Sequence, residues 1–303
     1  MAAGGALAVY AIINAAALVI GMALLAIVLR QRDDSARLEG AFVLAAAAGL
    51  LATAMLGITI DGAVRWVRIG VVSLQPSLIL LPLMIVAFAR QSGGAATLGM
   101  IVATLGMIVA TLGMIVAALA MALRPDRAMA GTLAAGLAFV AMQRPDRPTM
   151  VAFATAIIGF CATLLRPDIL PATAFVDHVV IDAFALSGVA GGALSGVAGG
   201  ALSGIAGGAL VAGAMLLVLP ALARSETGLV FAAIWLAILV APMLGNYPTP
   251  LLGYGGSGII GYLLSLAALP AQVGMARDEP GADHVASRPA DDRFEQRASA
   301  CAN

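Results

Sequence analysis

The chain has 303 residues, 62% of them hydrophobic and 11% charged, with a formal net charge of zero. A mean hydropathy of +1.03 excludes a soluble globular domain and predicts an all-α polytopic membrane protein. All sixteen basic residues are arginines scattered along the chain, so no basic patch suits nucleic acid.

Nine apolar segments are predicted as transmembrane helices: Ala6–Leu29, Ala41–Ile60, Leu74–Ala89, Ala95–Leu123, Ala128–Met142, Thr149–Leu165, Ala183–Leu219, Leu229–Leu244 and Gly258–Val273. In hydrocarbon the backbone must satisfy its own hydrogen bonds, which favours helices throughout. The first segment lacks the charged n-region of a cleavable signal and reads as a permanent span. Cys161 lies in an apolar segment and Cys301 in the C-terminal tail, so no disulfide framework is expected. Residues 1–273 form the membrane domain, and 274–303, rich in Asp, Glu, Arg, Pro and Ala, read as a disordered cytoplasmic tail.

Arginine sets the expected orientation. One set of connections, with the tail, holds eleven arginines, including Arg30, Arg90, Arg144 and Arg147. The other set holds five: Arg65, Arg68, Arg124, Arg127 and Arg166. The positive-inside rule then puts the N-terminus outside and the C-terminus in the cytoplasm.

Two segments contain repeats. ATLGMIV occurs three times between Ala96 and Val116. Its seven-residue period aligns Gly99, Ala103, Gly106, Ala110, Gly113 and Ala117 into a small-residue stripe that lets a neighbouring helix approach closely. ALSG(V/I)AGG occurs three times between Ala185 and Gly208, and its period of eight makes no single helix face. The host segments would be about 43 Å and 55 Å long as helices, against ~30 Å of hydrocarbon. Removing one seven-residue copy or two eight-residue copies restores ordinary span lengths, as expected of recent in-frame duplication.

Ionisable residues at membrane boundaries are candidate functional groups. Asp168, Asp177, His178 and Asp182 cluster between Leu165 and Phe184. Asp126 and Asp168, each in Arg-Pro-Asp, read as helix caps or partners of nearby arginines. His178 and Asp182 are four apart and share a helix face. They read as a hydrogen-bonded pair, since a metal site would need a third ligand. No cofactor is expected, and the sequence does not indicate a divalent cation.

Three outer connections carry distinctive sequence. In Asp61–Ser77, DGAVRWVRIGVVSLQPS, Arg65 and Trp66 are an amphipathic pair suited to an interface, and Pro76 fits the first turn of the next helix. The second is the acidic stretch. In Gly245–Gly258, GNYPTPLLGYGGSG, prolines and glycines preclude a regular helix, and irregular backbone at that depth must be buried in protein or line a cavity.

Together these segments resemble the SEDS family of shape, elongation, division and sporulation proteins. RWVRIGVVSLQPS is similar to the family's arginine–tryptophan loop and QPS helix start. ALRPDRAMAGTLAAG, Ala122–Gly136, is similar to its QPD-L-G-T junction. PTPLLGYGGSG is similar to its P-x-P-x-x-x-YGGS signature, and FVDHVVIDAF to its T-D-F element. The resemblance implies a SEDS-like bundle in the bacterial inner membrane, with the family's first helix absent. It implies polymerisation of lipid II at the outer face beside a class B penicillin-binding protein. Asp177 would be catalytic. Arg65, Trp66, Gln75, Tyr254, Gly255, Gly256 and Ser257 would contact or shape the substrate site.

The sequence also departs from the pattern. The family's QPSE-x-x-K helix becomes QPSLILL, placing Leu78 and Leu81 where it has Glu and Lys. Ala185 and Leu186 replace its paired acidic residues, and the loop before Asp177 shrinks to about Arg166–Val176. Joint replacement of an ion pair by apolar residues can be structurally tolerable. A non-catalytic scaffold that binds lipid II or a division partner is therefore the alternative. A transporter or flippase is more remote, since no inverted repeat is present.

Overall fold

The computed structural model describes residues 8–30, 36–60, 63–70, 72–91, 97–123, 126–166, 225–244, 247 and 256–269. These form helices α1 (Ala8–Arg30), α2 (Ala36–Leu56), α3 (Pro76–Arg90), α4 (Thr97–Leu123), α5 (Arg127–Gln143), α6 (Arg147–Leu164), α7 (Glu226–Leu244) and α8 (Gly256–Ala267). The segment Ala183–Leu219 and the tail lie outside the described residues.

The windows Ile12–Arg30, Thr104–Leu123 and Arg147–Leu164 are long and apolar enough to cross a membrane, and shorter apolar helices accompany them. Pro76 occupies the first turn of α3, where its missing N–H loses no hydrogen bond. Asp126 and Asp146 cap α5 and α6 by accepting from the backbone N–H groups of Met129 (3.2 Å) and Thr149 (2.8 Å).

Two expected segments end earlier than the hydropathy suggests. The second stops at Leu56, and Ile58–Ile60 becomes a strand, because the β-branched Ile-Thr-Ile run after Gly57 favours extended backbone. The last stops at Ala267, before Pro270, since a residue preceding proline is pushed out of the helical region. The connection between α2 and α3 carries strands that hydropathy does not indicate. Strands β1 (Ile58–Ile60), β2 (Ala63–Ile69) and β3 (Val72–Leu74) form an antiparallel sheet in that order. Ile58 pairs with Trp66, Arg68 with Ser73, and Ile69 with Val72. Gly70, in the tight connection after β2, adopts φ 62°, which glycine reaches without steric penalty.

Helix α3 lies at the centre and packs against α2, α4, α5, α7 and α8. Leu81, Met84, Ile85 and Phe88 are fully buried on it. Beside it, Phe231 and Trp235 of α7 meet Tyr262 of α8 in edge-on ring contacts, and Trp235 Nε1 donates to Ser265 Oγ at 3.1 Å. Helix α1 packs principally against α8.

Among the described helices the α2–α4 contact is the most extensive, and the small-residue stripe of α4 makes it. A Cβ on Gly40 would lie 2.8 Å from the Gly106 carbonyl oxygen, and one on Gly113 would lie 2.9 Å from Val43 Cγ1. Ala110 and Ala117 are completely buried. The repeat is equally visible on the opposite face, where Leu105, Leu112 and Leu119 are 57%, 49% and 51% exposed. Successive copies thus meet the same surroundings. Leu119 belongs to a degenerate further copy, Ala117–Leu123, in which the fully buried Ala120 takes the glycine position.

Arginines close several helix ends. Arg90 donates to the Ala268 carbonyl after α8 (3.0 Å), and Arg166 to the Leu123 carbonyl of α4 (3.1 Å). Arg127 reaches the carbonyls of Thr163 (3.3 Å), Leu164 (3.5 Å) and Arg166 at the end of α6. Arg144 caps α3 through the carbonyls of Gln91 and Phe88 while pairing with Asp146 at 3.0 Å. Burial lowers the Arg144 pKa from its ordinary value, and Asp146 opposes that shift. Each guanidinium complements the negative end of a helix dipole and fills carbonyls that have no partner within the helix.

Candidate functional site

Three of the distinctive sequence segments meet at the start of α3. Gln75, extended as the residue before Pro76 must be, donates its backbone N–H to Ser257 Oγ at 2.8 Å. Its side-chain Nε2 lies 3.3 Å from Ser77 Oγ and 3.4 Å from Asp126 Oδ2. The Ser77 hydroxyl reaches the same carboxylate oxygen at 3.5 Å. The other oxygen, Oδ1, holds the Met129 N–H at the α5 cap. One carboxylate therefore ties α3 to α5, while Ser257 ties α3 to α8.

All four residues are buried: Gln75 is 3% exposed, Ser77 6%, Asp126 3% and Ser257 1%. Burial excludes competing water, so long hydrogen bonds here matter more than similar ones at a surface. Gln75 Oε1 is buried and has no hydrogen-bond partner among the described residues.

Close backbone approach brings the helices into position. A Cβ on Gly261 of α8 would collide with the Leu78 carbonyl oxygen and lie 2.9 Å from its carbon. A Cβ on Gly256 would lie 2.6 Å from Ala17 Cβ of α1. These glycines let α8 slot between α1 and α3, which places Ser257 against Gln75.

The structure thus brings Gln75, Gly256 and Ser257 together. Arg65 lies in β2, and its side chain is outside the described residues; Trp66, next in the strand, is partly buried. Asp177, Tyr254 and Gly255 lie outside the described residues, as do Asp168, His178, Asp182, Ala185 and Leu186. Leu78 and Leu81 sit in the apolar core, 5% and 0% exposed.

Sequence reasoning identified Asp126 as a cap but missed its second role as the acceptor for Gln75 and Ser77. The available signal was a duplicated tetrapeptide. Arg-Pro-Asp-Arg occurs at 124–127 and again at 144–147, so it precedes both α5 and α6. Asp146 gives its spare oxygen to Arg144, whereas Asp126 gives its own to uncharged partners on another helix.

These features define a multi-pass helical membrane protein with a buried polar junction joining three helix starts. The model of the FtsW/RodA/SpoVE family, described as cell cycle proteins, matches residues 3–173. The chain belongs to this SEDS family, which places it among membrane proteins of cell shape and peptidoglycan synthesis. Similar solved structures include an aspartate-to-alanine variant of the rod shape determining protein RodA from Thermus thermophilus. It is 22% identical over 86% of each chain, with a TM-score of 0.49. Unsubstituted RodA from the same organism is 19% identical over 86% of this chain and 85% of its own, with a TM-score of 0.47. A chain from a peptidoglycan synthase complex that coordinates polymerization and crosslinking is also 19% identical, over 86% and 88%, with a TM-score of 0.47. No curated protein matches the chain.

Proposed function

We propose that the protein is a peptidoglycan glycosyltransferase that polymerises lipid II at the outer face of the bacterial inner membrane, beside a class B penicillin-binding protein. The observation that carries this reading is the meeting of three family motif segments in one buried cluster, Gln75 and Ser77 with Asp126 and Ser257. Such convergence is expected where several segments must hold one site rigid. The arginine distribution supports an outer N-terminus and a cytoplasmic C-terminus.

In this reading Asp177 is the general base. Its carboxylate takes the proton of the acceptor sugar hydroxyl as that oxygen attacks the anomeric carbon of the lipid-linked donor. The donor's bond to diphosphate breaks, and the polyprenyl diphosphate leaves with the electron pair. Arg65 holds the diphosphate through paired hydrogen bonds. Trp66, Tyr254, Gly255 and Gly256 shape the cavity. The test is polymer formation from lipid II by purified protein, with and without the penicillin-binding protein. Asp177→Asn should lower the rate at least ~100-fold; full activity in this variant would eliminate the assignment.

The second reading, a non-catalytic lipid II-binding scaffold, is favoured by one observation. Leu78 and Leu81, at the positions of the family's charged pair, are packed into the core. Polymer from the purified protein would exclude it.

A further inference from the structure

We infer that Asp126 is a positioning residue that turns the Gln75 side-chain amide so that its oxygen accepts an N–H or O–H from the saccharide of the substrate. The inference rests on the glycan-polymerising reading and adds to it a polarity for one end of the site.

The argument starts from what each group can do. A carboxylate only accepts hydrogen bonds, whereas an amide side chain donates from one end and accepts at the other. Asp126 cannot swivel freely, because Oδ1 is engaged by the Met129 N–H of α5. Its Oδ2 therefore faces α3 and draws the nitrogen of Gln75, with Ser77 on the same side. The backbone N–H of Gln75 is fixed separately by Ser257. With both anchors in place the amide has one sense, nitrogen toward Asp126 and oxygen away from it.

That oxygen is left over. The residue is 3% exposed, yet Oε1 has no hydrogen-bond partner among the described residues. An unpaired buried carbonyl is unfavourable, and an otherwise well-bonded side chain that leaves one points to a donor arriving from elsewhere. A lipid-linked saccharide offers two kinds of polar group. Its hydroxyls and acetamido N–H groups donate, whereas its diphosphate only accepts. Gln75 Oε1 suits the first and repels the second, so this end of the site selects the sugar and leaves the diphosphate to a cation.

Exchanging the two polar groups tests the idea. Asp126→Asn keeps an oxygen for the α5 cap but presents an N–H to Gln75, so the amide turns over and shows its nitrogen to the substrate. Affinity for lipid II should fall about tenfold, the loss of one hydrogen bond. Affinity for the same polyprenyl diphosphate without sugars should not change. Combining Asp126→Asn with Gln75→Glu puts the carboxylate at position 75 and the amide at the α5 cap, restores an oxygen facing away from residue 126, and should recover most of the lost affinity. Gln75→Met removes the acceptor without exchange and should behave like Asp126→Asn.

Melting temperatures of the detergent-solubilised variants separate binding from folding. A merely structural role would lower melting temperature and weaken both lipids equally, with no recovery in the double variant, and would overturn the proposal. Unchanged lipid II affinity in Asp126→Asn and Gln75→Met would also overturn it. Wild-type protein that binds lipid II but makes no polymer would overturn the polymerase reading alone, with the affinity comparison still deciding this proposal. Wild-type protein that binds no lipid II would overturn both.

Discussion

Gly261 offers the sharpest mechanical test of how the bundle is assembled. In Gly261→Ala the new methyl would collide with the Leu78 carbonyl oxygen and lie 2.9 Å from its carbon and 3.0 Å from Ile79 Cα. These are backbone atoms of α3 and cannot rotate away, so α8 must retreat. A gap of about 0.5–1 Å forfeits a quarter to a half of the dispersion attraction across that contact. Together with strain, overpacking of this kind destabilises by about 1–3 kcal/mol. At roughly 2–4 °C per kcal/mol for a chain of this size class, melting should fall by about 5 °C. The assay is tryptophan fluorescence on heating in detergent, for which the buried Trp235 is a core reporter. Gly49→Ala is the control, because its methyl meets only the tip of the Leu80 side chain, Cδ1, at 3.3 Å. Alanine's helix preference should hold that variant at or above the wild-type melting temperature. If Gly261→Ala melts with the wild type while Gly49→Ala melts lower, backbone contact between α3 and α8 does not govern the assembly.

The equivalence of the ATLGMIV copies predicts that deleting residues 97–103 leaves the α2–α4 contacts intact. Such a protein should melt within about 1 kcal/mol of the wild type, whereas deleting four residues rotates the stripe off α2 and should abolish folding, as judged by size-exclusion profile. Leu81→Lys should destabilise by about 3–5 kcal/mol, because it buries an unpaired charge. Adding Leu78→Glu should recover part of that loss, and a thermal double-mutant cycle measures the coupling. Arg144→Met should lower stability by about 2 kcal/mol, since the Phe88 and Gln91 carbonyls lose the guanidinium that donates to them and Asp146 loses its partner. Arg144→Lys should recover only part of it, because an ammonium cannot reproduce the guanidinium fork.

The described helices were legible because apolar length dominates a membrane sequence. The stripe on α4 was legible for a related reason, since seven residues nearly match two helical turns and Gly106 and Gly113 fall on one face. The sheet at 58–74 was not legible. Ala63–Ile69 lacks strict alternation of polar and apolar residues, and β1 and β3 are three residues each. At the candidate site, Pro76 and Asp126 announced themselves through local chemistry, as a helix start and a cap. The reach of Asp126 to Gln75 and Ser77 spans about fifty residues and depends on α3 lying beside α5. A hydrogen bond between helices is fixed by packing, and a cap is fixed by the next three residues. The sequence therefore announced the cap and concealed the bridge.

Arg90 and Arg144, both in the arginine-rich set of connections, have consecutive duties in the life of the chain. While segments are being threaded into the bilayer, cationic loops resist translocation and help to decide which side each connection takes. After the helices have closed together, the same guanidiniums sit on carbonyls at the ends of α8 and α3. A neutral substitution at one of them would therefore strike biogenesis first and the finished bundle second. A lysine at the same position would preserve the signal read during insertion while failing as a clasp. Comparing the two substitutions by insertion yield and then by the stability of what inserts would separate the early duty from the late one.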